Sequence, residues 1–144
     1  MARTARLAEG DRLVTVTRVF TIPAPAKLLS LNAERRMHWA RRAEIVREWR
    51  AAAKLYARHE RIPAFAWAEF EFEVWQSRGV AADCDSFRPC TKAIEDGLVD
   101  AGVLPDDSGE YLRGVINRPP RRAQSDCVRV TIRGELTETN ERRG

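Results

Sequence analysis

Residues 83–107, DCDSFRPCTKAIEDGLVDAGVLPDD, gather acidic side chains at both ends of one predicted helix. Seven of these 25 residues are Asp or Glu. Carboxylate oxygens are the ligands that a hard cation such as Mg²⁺ takes, and bound ions can activate water for phosphodiester hydrolysis. The segment therefore indicates a candidate divalent-metal site, with one lysine available to relieve the repulsion between carboxylates. The charged residues considered for this site are Asp83 and Asp85 before the helix, Lys92 within it, and Asp106 and Asp107 after it.

The two acidic ends can serve one site only if the chain turns back on itself. A helix of this length spans ~20 Å, so segment 103–107 would have to fold back along it. Lys92 lies seven residues after Asp85 and four before Asp96, so in a continuous helix all three would line one face. A surface Lys92–Asp96 pair with aspartates capping the helix N-terminus explains the same residues, and both interpretations stay open on these grounds.

The cysteines and histidines do not indicate a zinc site or a disulfide framework. Cys84, Cys90 and Cys127 are an odd number of thiols in a chain without an apparent export signal. His38 and His59 lie far from them in sequence, whereas zinc sites need about four closely spaced ligands. We interpret the three cysteines as packing or spectator residues.

Length and charge favour one domain that acts on an anionic partner. The chain has 144 residues, a net charge of +4 and a pI of about 9.3, and 22 of its 25 cations are arginine. Arginine binds phosphate in bidentate fashion, which suits nucleic acid, although codon bias in a GC-rich genome explains the same excess. No apolar run reaches the ~18 residues of a membrane span. The polar start lacks a signal peptide, so we expect a cytoplasmic protein without a membrane partner.

Periodicity predicts the order β-α-β-α-β-β. This order predicts a single α+β domain at 12–136, with one mixed sheet, two helices packed on it and the last two strands forming a hairpin. Residues 1–11 are predicted to be a flexible arm and 137–144 a fraying tail. The strands are predicted at 12–23, 64–76, 110–118 and 127–136, and the helices at 38–60 and from Phe87 or Pro89 to a stop at Gly102.

Two faces can be predicted in more detail. In 64–76, one set of alternate residues is apolar (Ala68, Phe70, Phe72 and Val74) and the other is a glutamate row, which we interpret as a solvated face. In 38–60, Trp39 begins a stripe at 3–4 residue spacing that indicates a helix. The stripe continues through Ala43, Val46, Arg50 and Ala53 and is widened by Ile45, Trp49, Ala52 and Tyr56. The connection before this helix has little regular pattern.

The acidic segment also resembles a known family. The pattern Asp-x-Asp at 83–85, then Lys92, then DGLVDAGVLPDD is similar to the RusA family of Holliday junction resolvases, common in phages and prophages. The likeness is close over 83–107 and looser over LNAERRMHWARR (31–42) and the order of elements, so about two-thirds of the chain is involved. A D-x-D alone is a weak signal, whereas these motifs in this order are a specific one.

The resemblance implies a small α+β homodimer that binds four-way DNA junctions and cuts paired strands symmetrically with Mg²⁺, or with Mn²⁺ as a substitute. It implies metal-binding and catalytic roles for Asp83, Asp85 and Asp107, and a catalytic role for Lys92. Supporting or structural roles fall to Asp96, Asp106 and Ser86. Candidate phosphate contacts in DNA are Arg35, Arg36, Arg41, Arg42, Arg88, Arg121 and Arg122.

Two departures from the family pattern bear on cleavage. Ser86 stands where the family usually has Asn, and Ser cannot donate the amide hydrogen bonds of Asn. Lys92 comes three residues later than in the shorter family members. It stays in the first turn if the helix begins at Pro89, and moves about one turn away if the helix begins at Phe87. The alternatives are a branched-DNA-binding protein of the same fold that does not cut, and a metal-dependent hydrolase of small phosphate esters.

Overall fold

A computed structural model describes residues 15–79 and 83–137, and in them one five-stranded sheet carries three helices. The predicted α+β class with a mixed sheet is confirmed. The predicted arm at 1–11, and all of the predicted tail beyond Thr137, lie outside the described residues. No helix in the described part of the chain is long and apolar enough to cross a membrane. The elements are β1 (Thr15–Pro23), α1 (Leu31–Arg36), α2 (Trp39–His59), β2 (Phe65–Gln76), α3 (Arg88–Asp100), β3 (Leu112–Asn117), β4 (Arg121–Arg122) and β5 (Cys127–Leu136).

The strand order β1-β5-β2-β3 differs from the prediction at the end of the chain. β5 lies between β1 and β2 and is antiparallel to both, while β3 and β4 pair with β2 in parallel. The predicted hairpin between the last two long strands is therefore wrong. Pro119 and Pro120 have no backbone N–H to donate and do not suit a tight hairpin turn. The chain instead continues along β2 as the two-residue strand β4.

The alternating pattern of β2 is confirmed. Phe70 and Phe72 are buried in the core with side chains of α2 and α3. The glutamates face the other way, but they are not simply solvated. The carboxylate of Glu71 lies 3.1 Å from the Nε of Arg118, which follows β3, and 3.6 Å from the Nη2 of Arg133 on β5, so these two arginines neutralise Glu71.

The prediction for α2 is right in position, but two residues of the predicted stripe, Trp39 and Arg50, are exposed. Trp39 is 67% exposed and stacks on the His38 ring, with the ring centroids 5.6 Å apart. The first turn of α2 does not pack against the core, since the first buried residue of the helix is Ile45. The buried residues are Ile45, Trp49, Ala52, Ala53 and Ala57.

Helix α1 was missed because six residues are too few to show helical periodicity. Its sequence signal is a cap: the Ser30 hydroxyl accepts the N–H of Ala33 at 3.1 Å. The N–H of Leu31 donates to the carbonyl of Ser86 at 2.8 Å. This bond ties the start of α1 to the acidic segment.

Helices α2 and α3 are joined by a bidentate ion pair. The Nε and Nη2 atoms of Arg50 lie 2.6 Å and 2.9 Å from the two carboxylate oxygens of Asp100. The hydrogen bond from Arg50 holds the pKa of Asp100 below its ordinary value of 3.8, since it stabilises the ionised form. Both groups are partly exposed, so water screens the pair.

We expect Asp100→Asn to be about 0.5 kcal/mol less stable than the parent protein at pH 7. A lowered carboxyl pKa contributes stability above the unfolded-state value and loses it as the pH falls through the folded-state pKa, here below 3.8. The difference should therefore be smaller at a pH well below 3.8 than at pH 7. Urea unfolding at both pH values measures it. Glu110→Gln is the control, because Glu110 is exposed and forms no ion pair within the described residues. A deficit that persists unchanged in acid would contradict the ion-pair explanation.

Candidate metal and phosphate site

The D-x-D sequence lies in the turn that leads into α3. The N–H of Ser86 donates to the carbonyl of Asp83 at 3.0 Å, and the N–H of Arg88 donates to the carbonyl of Asp85 at 3.1 Å. The helix begins at Arg88, between the two predicted starting points, so Lys92 follows about 6 Å along its axis. Asp85 lies before the helix, as predicted, so it does not share a continuous helical face with Lys92 and Asp96.

The segment after α3 folds back as a shared site requires. Gly102 adopts a φ of +86°, which glycine tolerates, and its N–H donates to the carbonyl of Val99 at 2.9 Å. Val103 and Leu104 are then buried, only 1% and 2% exposed. The carbonyl of Val103 accepts the N–H of Phe65 at 2.8 Å, which ties the segment to the start of β2.

This fold-back brings Asp107 to Lys92. The Nζ of Lys92 lies 2.8 Å from Oδ2 of Asp107 and 3.2 Å from Oδ1 of Asp96. The hydrogen bond from Lys92 lowers the pKa of Asp107, and the same bond raises the pKa of Lys92. Both side chains are therefore charged at neutral pH, and an exposed ammonium group is held between two carboxylates. Asp106 does not join them: its Oδ1 accepts the N–H of Ser108 at 2.7 Å.

A second group of polar side chains surrounds the D-x-D turn. A cavity of about 220 Å³ lies where the start of α1 meets this turn. Arg35 places a cation beside the two aspartates of the turn, as a phosphate contact near a metal would require. The lining residues are Ser30, Leu31, Asn32, Arg35, Asp83, Asp85 and Ser86.

The aspartates suit magnesium in their chemistry, but not in their present arrangement. Asp83, Asp85 and Asp107 are exposed and offer only oxygen ligands, which Mg²⁺ prefers. Within residues 15–79 and 83–137, however, no group of three or more His, Cys, Asp or Glu side chains is placed to hold a metal ion. Asp107 is instead paired with Lys92. The predicted trio therefore does not form an assembled metal site in this arrangement.

The predicted arginine contacts fall into two classes. Arg35, Arg36 and Arg42 are exposed on α1 and the first turn of α2, and Arg35 also lines the cavity at the D-x-D turn. Arg41, on the same turn, pairs with Glu44 three residues along α2.

The other three arginines have structural contacts. Arg88 pairs with the buried Glu95 on the next turns of α3. The Nη1 and Nη2 atoms of Arg122 donate to the carbonyls of Ser77 and Gly79 at 2.8 Å and 2.7 Å. The guanidinium of Arg121 lies 5.6 Å from the centre of the Trp75 ring. These contacts account for the three arginines without DNA.

Sequence reasoning missed Asn32. Its exposed side chain lines the cavity beside Asp83 and Asp85 and also a larger cavity next to it. An amide is the group that is lost where Ser86 replaces Asn. The available signal was the polar pair Ser30 and Asn32 within the otherwise apolar sequence LLSLN, in which Ser30 is a capping residue.

Comparisons with known proteins do not assign a family. No family model matches the chain, and no curated protein matches it. The likeness of residues 83–107 to the RusA pattern therefore stays a prediction from the residues, and any function rests on the chemistry and geometry of this site.

Proposed function

We propose that this protein is a Mg²⁺-dependent, structure-selective endodeoxyribonuclease that resolves Holliday junctions and related branched DNA. The observation that supports it most is the position of Lys92 between Asp96 and Asp107. Asp107, at the far end of the acidic segment, reaches the one lysine of α3, which lies four residues after the helix start that follows the D-x-D turn. This contact is part of the convergence that a D-x-D, Lys and Asp-Asp motif needs in order to act on one phosphate.

The proposal gives each residue a role. Asp83, Asp85 and Asp107 are the ligands for Mg²⁺, or for Mn²⁺ in its place, and this requires the Asp107 carboxylate to turn away from Lys92. That movement also frees the Lys92 ammonium to stabilise charge on the phosphate in the transition state. Asp96 keeps Lys92 in position at 3.2 Å. Ser86 has a structural role: its backbone carbonyl accepts the N–H of Leu31 and so anchors the start of α1.

The proposed partners follow from charge and symmetry. A pI of about 9.3 with arginine in excess favours a polyanion. Cutting two strands of a four-way junction symmetrically suits a homodimer with a twofold axis. A cytoplasmic location, where DNA is accessible, belongs to the same proposal.

Cleavage of labelled four-way, flap and linear DNA, compared side by side in Mg²⁺, tests the proposal. We expect paired cuts in the four-way junction, slower cutting of the flap and no cutting of linear duplex, with all activity lost in EDTA. An inert protein in both Mg²⁺ and Mn²⁺ would refute nuclease function. A hydrolase of small phosphate esters would instead hydrolyse a mononucleotide. Its rate would not change when a four-way junction is added as competitor, because such an enzyme does not bind structured DNA.

A branched-DNA-binding protein that does not cut is the second candidate. The Lys92–Asp107 ion pair and the separation of the three aspartates favour it, because the Asp107 carboxylate would have to leave Lys92 before it could bind a cation. Tight junction binding in a gel assay, without nicking in either metal, is the result expected of this candidate.

A further inference from the structure

A larger cavity lies next to the D-x-D turn and is not used by the proposed chemistry. Its volume is about 520 Å³, within the ~300–1,000 Å³ typical of small-molecule sites. It shares four lining residues with the 220 Å³ cavity, so the two lie side by side. The shared residues are Ser30, Asn32, Asp83 and Ser86.

Hydrogen bonds from several elements hold the walls of this cavity. The indole Nε1 of Trp49 on α2 donates to the carbonyl of Lys27 at 3.0 Å. The Asp126 carboxylate accepts the N–H of Ser77 at 2.7 Å. Arg122, on β4, donates a hydrogen bond to the carbonyl of Ser77. The Leu31–Ser86 backbone bond closes a third side. The cavity is therefore formed before any ligand arrives.

The lining offers the three kinds of contact that a nucleotide needs. Leu28 and the half-buried Phe87 supply apolar surface for a base. Asn32 supplies an amide that can both donate to and accept from a base edge. Lys27 and Arg78 are exposed cations at the cavity, and neither forms an ion pair within the part of the chain that the structure describes. They are available for phosphate groups.

We propose that this cavity binds one nucleotide of the DNA substrate, with its base out of the stack, next to the phosphodiester bond at the D-x-D turn. The inference rests on the proposed function and narrows its substrate. A base inside a duplex must first be unpaired and unstacked, and this costs least for a nucleotide that has no partner. The protein then selects branch points that carry an unpaired nucleotide.

Binding in EDTA, where cleavage cannot occur, tests the inference. Two four-way junctions are compared that are identical except for one unpaired nucleotide at the branch point. The wild-type protein should bind the junction with the unpaired nucleotide about 10-fold more tightly. The preference should fall below about twofold in Asn32→Ala, whose side chain makes no hydrogen bond in the described region. Lys27→Ala should also lose it, while the matched Lys54→Ala on α2 keeps it.

Each outcome decides between the two proposals. Equal binding of both junctions by the wild-type protein overturns the nucleotide site, even if the protein cleaves DNA. A preference that survives in both Asn32→Ala and Lys27→Ala overturns its assignment to this cavity. A preference that those variants lose, in a protein that never cuts, supports the nucleotide site and refutes the nuclease. Failure to bind any DNA overturns both.

Discussion

Asp85→Asn is expected to lose junction cleavage while it keeps junction binding. Asparagine has nearly the same shape as aspartate but no negative charge, so it is a poor ligand for Mg²⁺. The folded structure should not change, because Asp85 is exposed and its bond to Arg88 is made by the backbone carbonyl. We expect the cleavage rate to fall at least about 100-fold, the scale on which active-site electrostatic contacts act. Removing an anion near DNA should leave affinity equal or slightly higher.

Single-turnover cleavage of a labelled four-way junction in Mg²⁺, with a gel-shift titration in EDTA, measures the two effects separately. Asp100→Asn is the matched control, since it makes the same chemical change at the other end of α3, where Asp100 pairs with Arg50. It should cut at the parent rate at temperatures where it is folded. Equal cleavage by Asp85→Asn and the parent protein would remove Asp85 from the site.

The local elements were predictable because each carries its own periodicity. The strict alternation of β2 identifies both its bounds and its buried face, and Gly102 marks the end of α3. The pairing of β3 was not predictable in the same way. Its short pattern fits a hairpin with β5 as well as a parallel edge of β2, and the choice depends on which strands are central to the sheet.

The candidate site shows the same division between local and tertiary information. The sequence identifies Lys92 as the single lysine among the acidic residues, and the i, i+4 spacing predicts its contact with Asp96. Its shorter contact, with Asp107, requires Val103 and Leu104 to be buried against the core. The spacing of the charged residues does not encode that packing. A shared site therefore requires the fold-back, but the charged residues alone could not predict it.

Gly97→Ala is expected to destabilise the protein strongly, by about 2–3 kcal/mol. A Cβ at this position would lie 2.3 Å from the carbonyl oxygen of Arg50 and 2.7 Å from the Cβ of Ala53. The first of these atoms belongs to the backbone of α2, so it cannot rotate away, and the helices must separate. The gain in helix propensity from Gly to Ala, about 1 kcal/mol, is too small to offset this. Urea unfolding at pH 7 measures the change.

Gly109→Ala is the matched control, because a Cβ there would meet nothing within 4 Å, and we expect it to change stability by less than about 0.5 kcal/mol. Similar stability of Gly97→Ala and the parent protein would mean that α2 and α3 do not pack this closely. The comparison also bears on the site. Lys92 and Asp96 are on α3, so a helix displaced from α2 moves them relative to Asp107, which is held by the burial of Val103 and Leu104. A folded Gly97→Ala protein should therefore bind a junction normally and cut it more slowly, since the close approach of two helices sets the position of Lys92.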